Sequence, residues 1–91
     1  SETVKDDSAD PLADALNSEL ARLIEHCMGG LSEDHRFAMV MIDVEGYQYD
    51  EAAESIGVSI GTVKSRLNRA RARMRDCVQQ DAELLPASMR L

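Results

Sequence analysis

The chain has 91 residues, of which 44% are hydrophobic and only 3% aromatic, with no Trp. This length suits one small domain with an aliphatic core, and it excludes a doubly wound enzyme, a barrel or a two-domain protein. No apolar run approaches the ~20 residues that cross a bilayer. No signal peptide is visible and the chain begins with Ser1, so we expect either a piece of a longer protein or a processed chain.

Charge is divided unevenly along the chain, whose formal net charge is −7. Residues 1–58 carry 14 acidic and 3 basic residues, whereas residues 59–91 carry 7 basic and 3 acidic ones. Residues 59–75 hold six bases and no acid. Such a compact basic stripe indicates nucleic-acid binding, or else a solvated helix face that neutralises the acidic half. The six bases are Lys64, Arg66, Arg69, Arg71, Arg73 and Arg75.

The first half of the chain predicts two helices. Residues 1–9 are polar and acidic and look like the end of a flexible linker. Asp10 and Pro11 suit a helix start, and Gly29-Gly30 ends that helix. Its apolar residues have helical spacing: Leu12, Leu16, Leu20, Leu23, Ile24, Cys27 and Met28.

A second helix starts with Ser32 as its cap and ends at Gly46. Its predicted buried stripe is Phe37, Val40, Met41 and Val44.

The second half predicts a short helix and a long one. The third helix runs from about Tyr49 to Ile56 and ends at Gly57. Ser59 caps the fourth helix, which we place at residues 60–77. Its apolar stripe consists of Ile60, Val63, Leu67, Ala70, Met74 and Cys77.

No strand is evident, so the predicted fold is an all-α, four-helix domain over residues 10–78, with a C-terminal tail at 79–91. The third helix, the turn at Gly57 and the fourth helix form a helix-turn-helix, winged-helix-like but without a wing.

The residues on the outer face of the fourth helix favour a DNA-binding helix-turn-helix. Small residues opposite the apolar stripe would let the backbone approach a major groove, where Ser65, Asn68 and Arg69 can reach base edges. Cations on both flanks would meet phosphates. Alternatively, Arg66 and Arg71 pair with acids of the preceding helix, such as Glu51 or Glu54. The outermost residues are Gly61, Ser65, Asn68, Arg69 and Ala72. One flank carries Lys64, Arg71 and Arg75, and the other carries Thr62, Arg66 and Arg73.

Catalytic and metal-binding groups are not indicated. Cys27 and Cys77 allow one disulfide, but we expect reduced, core or half-buried thiols of a cytoplasmic protein. His26, His35 and the cysteines have no spacing typical of a metal site. No nucleophile–base pair and no Gly-rich phosphate loop can be named. The sequence therefore predicts a protein that is not an enzyme and has no cofactor and no metal.

These residues also carry a family resemblance. Leu31–Val78 resembles region 4, the C-terminal promoter-binding domain of bacterial sigma factors, in particular the extracytoplasmic-function group. Residues 61–71, GTVKSRLNRAR, match a Gly-Thr-Val-Lys-Ser-Arg-Leu-x-Arg-Ala-Arg run of that family closely. Residues 10–30 look like the family's first helix.

The chain departs from the family pattern in the third helix. Gln48 stands where Ser or Thr commonly caps this helix, and Asp50 is an alternative cap. Ala52 replaces a bulky aliphatic residue, so the packing there is looser or is filled by Phe37 or a Met. Asn68 lies at a position that varies and helps set promoter preference.

The resemblance implies recognition of the promoter −35 element by the fourth helix and docking on the β flap of RNA polymerase during transcription initiation. It also implies an anti-sigma factor as a partner, no membrane contact, and a bacterial cytoplasmic, nucleoid-associated location. The residues implied to contact bases are Lys64, Ser65, Asn68 and Arg69. The residues implied to contact phosphates are Ser59, Thr62, Arg66, Arg71 and Arg73.

Two alternatives remain from the residues alone. A helix-turn-helix response regulator also uses a GTVK-like run, and it would prefer palindromic DNA. A module that binds only protein would be insensitive to DNA and to the loss of Lys64 and Arg69.

Overall fold

The computed structural model describes residues 10–82, and within that range it contains four α-helices, one π-helical segment and no strand. The predicted all-α, four-helix fold is confirmed. The predicted linker at 1–9 and residues 83–91 of the predicted tail lie outside the described residues. The elements are α1 (Pro11–Gly29), α2 (Glu33–Met39), the π-helical segment (Val40–Val44), α3 (Tyr49–Ile56) and α4 (Ile60–Asp81).

Side-chain caps fix three of the helix starts. The Asp10 carboxylate accepts hydrogen bonds from the backbone N–H groups of Leu12 and Ala13, at 3.1 and 3.3 Å. The Ser32 hydroxyl accepts one backbone N–H of the first turn of α2 at 3.2 Å, and the Ser59 hydroxyl accepts one of the first turn of α4 at 3.1 Å. These oxygens satisfy amides that have no partner in the first turn, and the three predicted caps are confirmed.

The turn between α3 and α4 is built on one left-handed residue. Gly57 has φ +85°, a conformation that side chains with a Cβ rarely adopt. The N–H groups of Gly57 and Val58 both donate to the Ala53 carbonyl, at 2.8 and 3.0 Å. The predicted bounds of α3, Tyr49 to Ile56, are confirmed.

The start of α3 uses Gln48 as its N-cap residue. The Glu51 carboxylate accepts a hydrogen bond from the Gln48 backbone N–H at 2.8 Å. A carboxylate in the first turn therefore reaches back to the cap residue, as in one half of a capping box. The alternative cap at Asp50 is not used.

The core is centred on α4, which packs against α1, α2 and α3. Val63, Leu67 and Ala70 are fully buried along its inner face. Around the helix-turn-helix, Met41 packs with Val63 and with small α3 residues. Met41 thus supplies the bulk that Ala52 lacks, whereas Phe37, the other residue proposed to fill that space, is 53% exposed. The buried residues of this cluster are Met41, Ala52, Ala53 and Val63.

The predicted buried stripe of the second helix is wrong at both ends. Phe37 and Val44 are 53% and 70% exposed, and Ala38 is buried instead, whereas the predicted burial of Met41 is confirmed. One reason is the π-helical segment, where the Glu45 N–H donates to the Val40 carbonyl five residues back. Each wider turn rotates the following side chains away from the face that α-helical spacing predicts. The other reason is that small Ala38 takes the buried position of α2, one residue from Phe37.

A second cluster joins α1 to the C-terminal half of α4. Leu23 and Cys27 are buried there, but Leu12 and Ile24 of the predicted stripe are 68% and 42% exposed. Three residues of α4 and its C-cap residue pack against this pair. The two of them that follow residue 77, the predicted end, explain why α4 continues to Asp81. The four residues are Met74, Cys77, Val78 and Ala82.

The expectation of reduced cysteines is wrong for this structure. Cys27 and Cys77 form a disulfide that joins α1 to α4, with their Cα atoms 5.8 Å apart. The two residues are 50 positions apart in sequence, so only the packing of the two helices brings them together.

In the part of the chain that the structure describes, no helix is long and apolar enough to cross a membrane.

The central position of Leu67 gives a stability prediction. Leu67→Ala removes a fully buried side chain and leaves a cavity, so the free energy of unfolding should fall by about 2–4 kcal/mol. Urea unfolding followed by circular dichroism measures this change. Leu12→Ala is the matched control, because Leu12 is 68% exposed; an equal loss in both variants would contradict the assignment of the core to α4.

Candidate nucleic-acid interface

The four predicted base-contacting residues share the outer face of α4. Lys64, Ser65, Asn68 and Arg69 are all exposed. They lie three and four positions apart, which brings them together along one side of a helix. This side lies away from the buried positions Val63, Leu67 and Ala70. The surface formed by Lys64, Ser65, Asn68 and Arg69 is called the reading face below.

Lys64 differs from the other three because it has a partner on α3. Its Nζ lies 5.6 Å from the centre of the Tyr49 ring, within the range of a cation–π interaction. Lys64 is thus directed towards the start of α3, at the edge of the reading face. The sequence analysis placed Lys64 on a flank because of its helical position. The same analysis did not identify Tyr49 as part of the site, because a contact between two helices has no periodic signal.

The first turn of α4 presents two hydroxyl groups. Ser59 Oγ and Thr62 Oγ1 are 3.0 Å apart and share a hydrogen bond, while Ser59 also caps the Thr62 N–H. Gly61 lies exposed beside them. A Cβ built on Gly61 would meet its nearest atom, Ser59 Oγ, at an ordinary 3.8 Å. The protein itself therefore leaves room for a side chain at residue 61.

Arg71, a predicted phosphate contact, is engaged inside the domain. Its Nε donates to Asp43 Oδ2 at 2.9 Å, and its Nη2 donates to the other carboxylate oxygen. A bidentate pair of this kind fixes both groups in one geometry. The alternative of an internal ion pair is thus confirmed for Arg71, but the partner is Asp43 of the π-helical segment, not Glu51 or Glu54.

The pair also sets the ionisation of its members. The hydrogen bond from Arg71 lowers the pKa of Asp43 below its ordinary value of 3.8, against the opposing effect of burial. The hydrogen bond to Asp43 likewise raises the pKa of Arg71 above its ordinary value. Both groups therefore stay charged at neutral pH, and the acid cancels one of the six cations of α4.

Arg66 is held more loosely. Its Nη2 lies 3.8 Å from Asp34 Oδ2, at the outer limit of an ion pair, and its side chain is only 25% exposed. Asp34, by contrast, is 69% exposed. Asp34 lies on α2, so this acid, like Asp43, does not lie on α3.

The remaining cations of α4 extend into solvent. For Arg69, Arg73 and Arg75, the described residues supply no carboxylate within 4.0 Å, and all three are exposed. Together with Lys64 they form a run of positive charge, and no acidic residue occurs between residues 59 and 75. Hydrogen-bonding groups and unpaired cations on one open helix face can bind base edges and phosphates.

Comparison with known proteins identifies a similar domain. Residues 21–74 match the family described as Sigma-70, region 4. The chain is 37% identical over 60 residues to the ECF RNA polymerase sigma factor SigE of Mycolicibacterium smegmatis, covering 66% of this chain and 23% of that protein.

Two further relatives extend this likeness. The ECF RNA polymerase sigma-E factor of Haemophilus influenzae is 35% identical over 69 residues, which is 76% of this chain and 36% of the relative. The ECF RNA polymerase sigma factor SigM of Mycobacterium tuberculosis is 40% identical over 65 residues, which is 70% of this chain and 33% of the relative. The chain thus matches between 23% and 36% of the length of these relatives.

The ion pair of Arg71 and Asp43 predicts a pH-dependent stability. Because the folded-state pKa of Asp43 is lowered, the pair stabilises the fold above the ordinary pKa and loses its contribution as pH falls through the lowered value. Asp43→Asn should reduce the free energy of unfolding at neutral pH by about 0.5–1 kcal/mol. The difference from the wild type should disappear in strong acid, where Asp43 is protonated as well.

Urea unfolding at several pH values measures both effects. Glu54→Gln is the control, because Glu54 is exposed on α3 and the described residues offer it no ion pair. A deficit of Asp43→Asn that persists unchanged in strong acid would contradict the assignment.

Proposed function

Because the chain belongs to the Sigma-70, region 4 family, we propose that it is the promoter-recognition domain of an extracytoplasmic-function sigma factor. In this proposal α4 binds the −35 element of a promoter, and the domain docks on the β flap of RNA polymerase for transcription initiation. The observation that carries it is the outer side of α4, where four exposed cations that form no ion pair with the described residues accompany Ser65 and Asn68 and no acid intervenes. The domain positions a polymerase and catalyses no reaction itself.

The reading face supplies the chemistry for sequence recognition. An Arg side chain at residue 69 can donate two hydrogen bonds to a guanine edge, and an Asn at residue 68 can pair with adenine. Ser65 can donate or accept at either kind of base. Lys64 reaches a base only at the edge of the contact, since its ammonium group lies against Tyr49.

The phosphate contacts divide into two groups. Ser59 and Thr62, whose hydroxyl groups share a hydrogen bond in the first turn of α4, and Arg73 are assigned to the DNA backbone. The N-terminus of α4 favours an anion there. Arg66 and Arg71 instead act as positioning residues, because their guanidinium groups are directed at acids of the same domain. We assign to Arg71 the task of holding α4 against the π-helical segment.

The polymerase contact needs a surface outside α4. A groove on the second helix is lined by Glu33, Arg36, Phe37 and Val40, and Phe37 is 53% exposed. This apolar surface leaves the reading face open, so flap docking and DNA binding are compatible. An anti-sigma factor that covers the reading face is a further partner of this proposal, which places the protein in the bacterial cytoplasm, at the nucleoid.

The family match does not favour the response-regulator alternative. A response regulator would bind a palindrome, whereas the sigma-factor domain should select one non-palindromic motif of a few base pairs. Selection from a randomised duplex pool at low salt separates the two. Low salt is needed because one domain, without the second promoter contact of a longer protein, binds weakly.

Arginine substitutions on α4 separate base recognition from phosphate binding. Arg69→Ala should weaken binding to the selected duplex by about 1–3 kcal/mol, roughly 5- to 150-fold, and relax the preference at one base pair. Arg73→Ala should weaken binding to all duplexes alike and reduce the salt slope by about one. Fluorescence anisotropy against the selected and a scrambled duplex measures both. A sequence-selective loss in Arg73→Ala, or a uniform one in Arg69→Ala, would overturn the two roles.

Gly61 tests the approach of the backbone to DNA. Gly61→Glu places a carboxylate beside the first turn of α4, where the protein leaves room for it, so DNA binding should be lost while the thermal melting temperature changes little. Gln80→Glu adds the same charge to α4 near its C-terminal end and should leave most of the affinity. Retained affinity in Gly61→Glu would exclude insertion of the first turn into the groove.

A further inference from the structure

The junction of α1 and α4, outside the reading face, gathers four side chains that can bind a metal ion. His26 and Cys27 are neighbours near the end of α1, and Cys77 and Asp81 lie four residues apart on one face of α4. We propose that reduction of the Cys27–Cys77 disulfide converts this junction into a binding site for one Zn²⁺ ion, with His26, Cys27, Cys77 and Asp81 as its ligands.

The distances between these groups already approach those of a tetrahedral zinc site. The ligand atoms of His26, Cys77 and Asp81 all lie within 4.8 Å of one another. His26 Nε2 is 3.3 Å from Asp81 Oδ2, and Cys77 Sγ is 3.8 Å from the same oxygen. Zinc bonds of about 2.0–2.3 Å at tetrahedral angles place neighbouring ligands about 3.3–3.8 Å apart. Two edges of the tetrahedron are therefore present before any metal binds.

Reduction supplies the two sulfur ligands, Cys27 and Cys77. In the disulfide, the Cys27 sulfur is bonded to the Cys77 sulfur, and neither is a thiolate that can bind a cation. After reduction the two sulfurs separate to van der Waals distance or beyond, and rotation about the Cα–Cβ bonds brings them to the spacing of two zinc ligands. The Cα atoms, 5.8 Å apart, need little movement.

The surrounding packing keeps the ligands together without the covalent bond. Leu23 and Cys27 are buried against Met74, Val78 and Ala82 across the junction. Because these apolar contacts survive reduction, α1 and α4 stay adjacent. The side chain of His26 is 71% exposed and that of Asp81 is 28% exposed, so a cation can reach the site from solvent. Cys27 lies on the buried side of the site.

The chemistry of the conversion balances. Two small thiols reduce the disulfide to two cysteine thiols and are themselves oxidised to one disulfide. Binding of Zn²⁺ then displaces the two thiol protons, which leave to solvent. Thiolate and imidazole ligands select Zn²⁺ over the hard cations Mg²⁺ and Ca²⁺. A small-molecule disulfide reverses the sequence by thiol–disulfide exchange. It is reduced to two thiols, and the Cys27–Cys77 bond that forms removes both thiolates and releases the metal.

This site revises the expectation from sequence that the chain binds no metal. His26 and Cys27 alone have no spacing typical of a metal site, and Cys77 is 50 residues away. Only the packing of α1 against α4 completes the set. The proposal concerns a different face of the molecule from the DNA contact, so it stands or falls independently of the proposed function.

Cobalt binding to the whole 91-residue chain tests the proposal. The chain is reduced with a water-soluble phosphine, which takes up one oxygen atom from water per disulfide cleaved, and is titrated with Co²⁺ without oxygen. One equivalent should produce a thiolate-to-cobalt charge-transfer band and the intense visible bands of tetrahedral Co²⁺, and Zn²⁺ should abolish both. The oxidised chain should give neither. Zn²⁺ should also raise the melting temperature of the reduced chain and leave that of the oxidised chain unchanged.

Substitutions then identify the ligands. His26→Ala and Asp81→Ala should each weaken Zn²⁺ binding, measured by competition with a chromophoric chelator, about tenfold or more. His35→Ala and Asp76→Ala are the matched controls, one for each residue type, and should bind as the wild type does. The absence of a charge-transfer band in the reduced chain would overturn the proposal. Unchanged affinity in both His26→Ala and Asp81→Ala would also overturn it and would leave their contact as a surface ion pair.

Discussion

The structure depends on the inner face of α4, where Val63, Leu67 and Ala70 are fully buried. All three other helices pack against this one helix, so a single apolar stripe organises the domain. The same helical period that collects the apolar residues inside collects Ser65, Asn68 and Arg69 outside. Folding and the proposed DNA recognition therefore use opposite sides of one element, and a change in the twist of α4 would affect both.

Ion pairing decides which cations of α4 would be available to DNA in the proposed function. Six basic residues and no acid occupy residues 59–75, but Arg71 is bonded to Asp43 and Arg66 faces Asp34. These acids belong to α2 and the π-helical segment, and not to α3, where the sequence analysis had placed the alternative partners. The acidic half of the chain thus contributes to the orientation of the basic half as well as to the total charge. Arg69, Arg73 and Arg75 keep their charge exposed.

The sequence predicted local features well and distant ones poorly. The caps Asp10, Ser32 and Ser59 and the bounds of α3 depend on neighbouring residues, and all are confirmed. The pairing of Arg71 with Asp43 spans 28 positions and the disulfide spans 50, so no periodic pattern reports them. The stripe of the second helix was misplaced because the π-helical segment breaks the α-helical period on which the prediction relied. The reading face was predictable because it lies within one regular helix.

The link between α1 and α4 follows from the shape of the core. The helix-turn-helix has its own cluster around Met41 and Val63, whereas the C-terminal half of α4 is covered mainly by Leu23 and Cys27 of α1. A small, aromatic-poor cluster adds modest stability by burial, and a bond between the helices adds to it. Disulfides are rare in the reducing cytoplasm, where the proposed function places this domain. A metal ion held by the same two sulfurs would keep α1 on α4 under those conditions, so one pair of cysteines can serve the fold in both redox states.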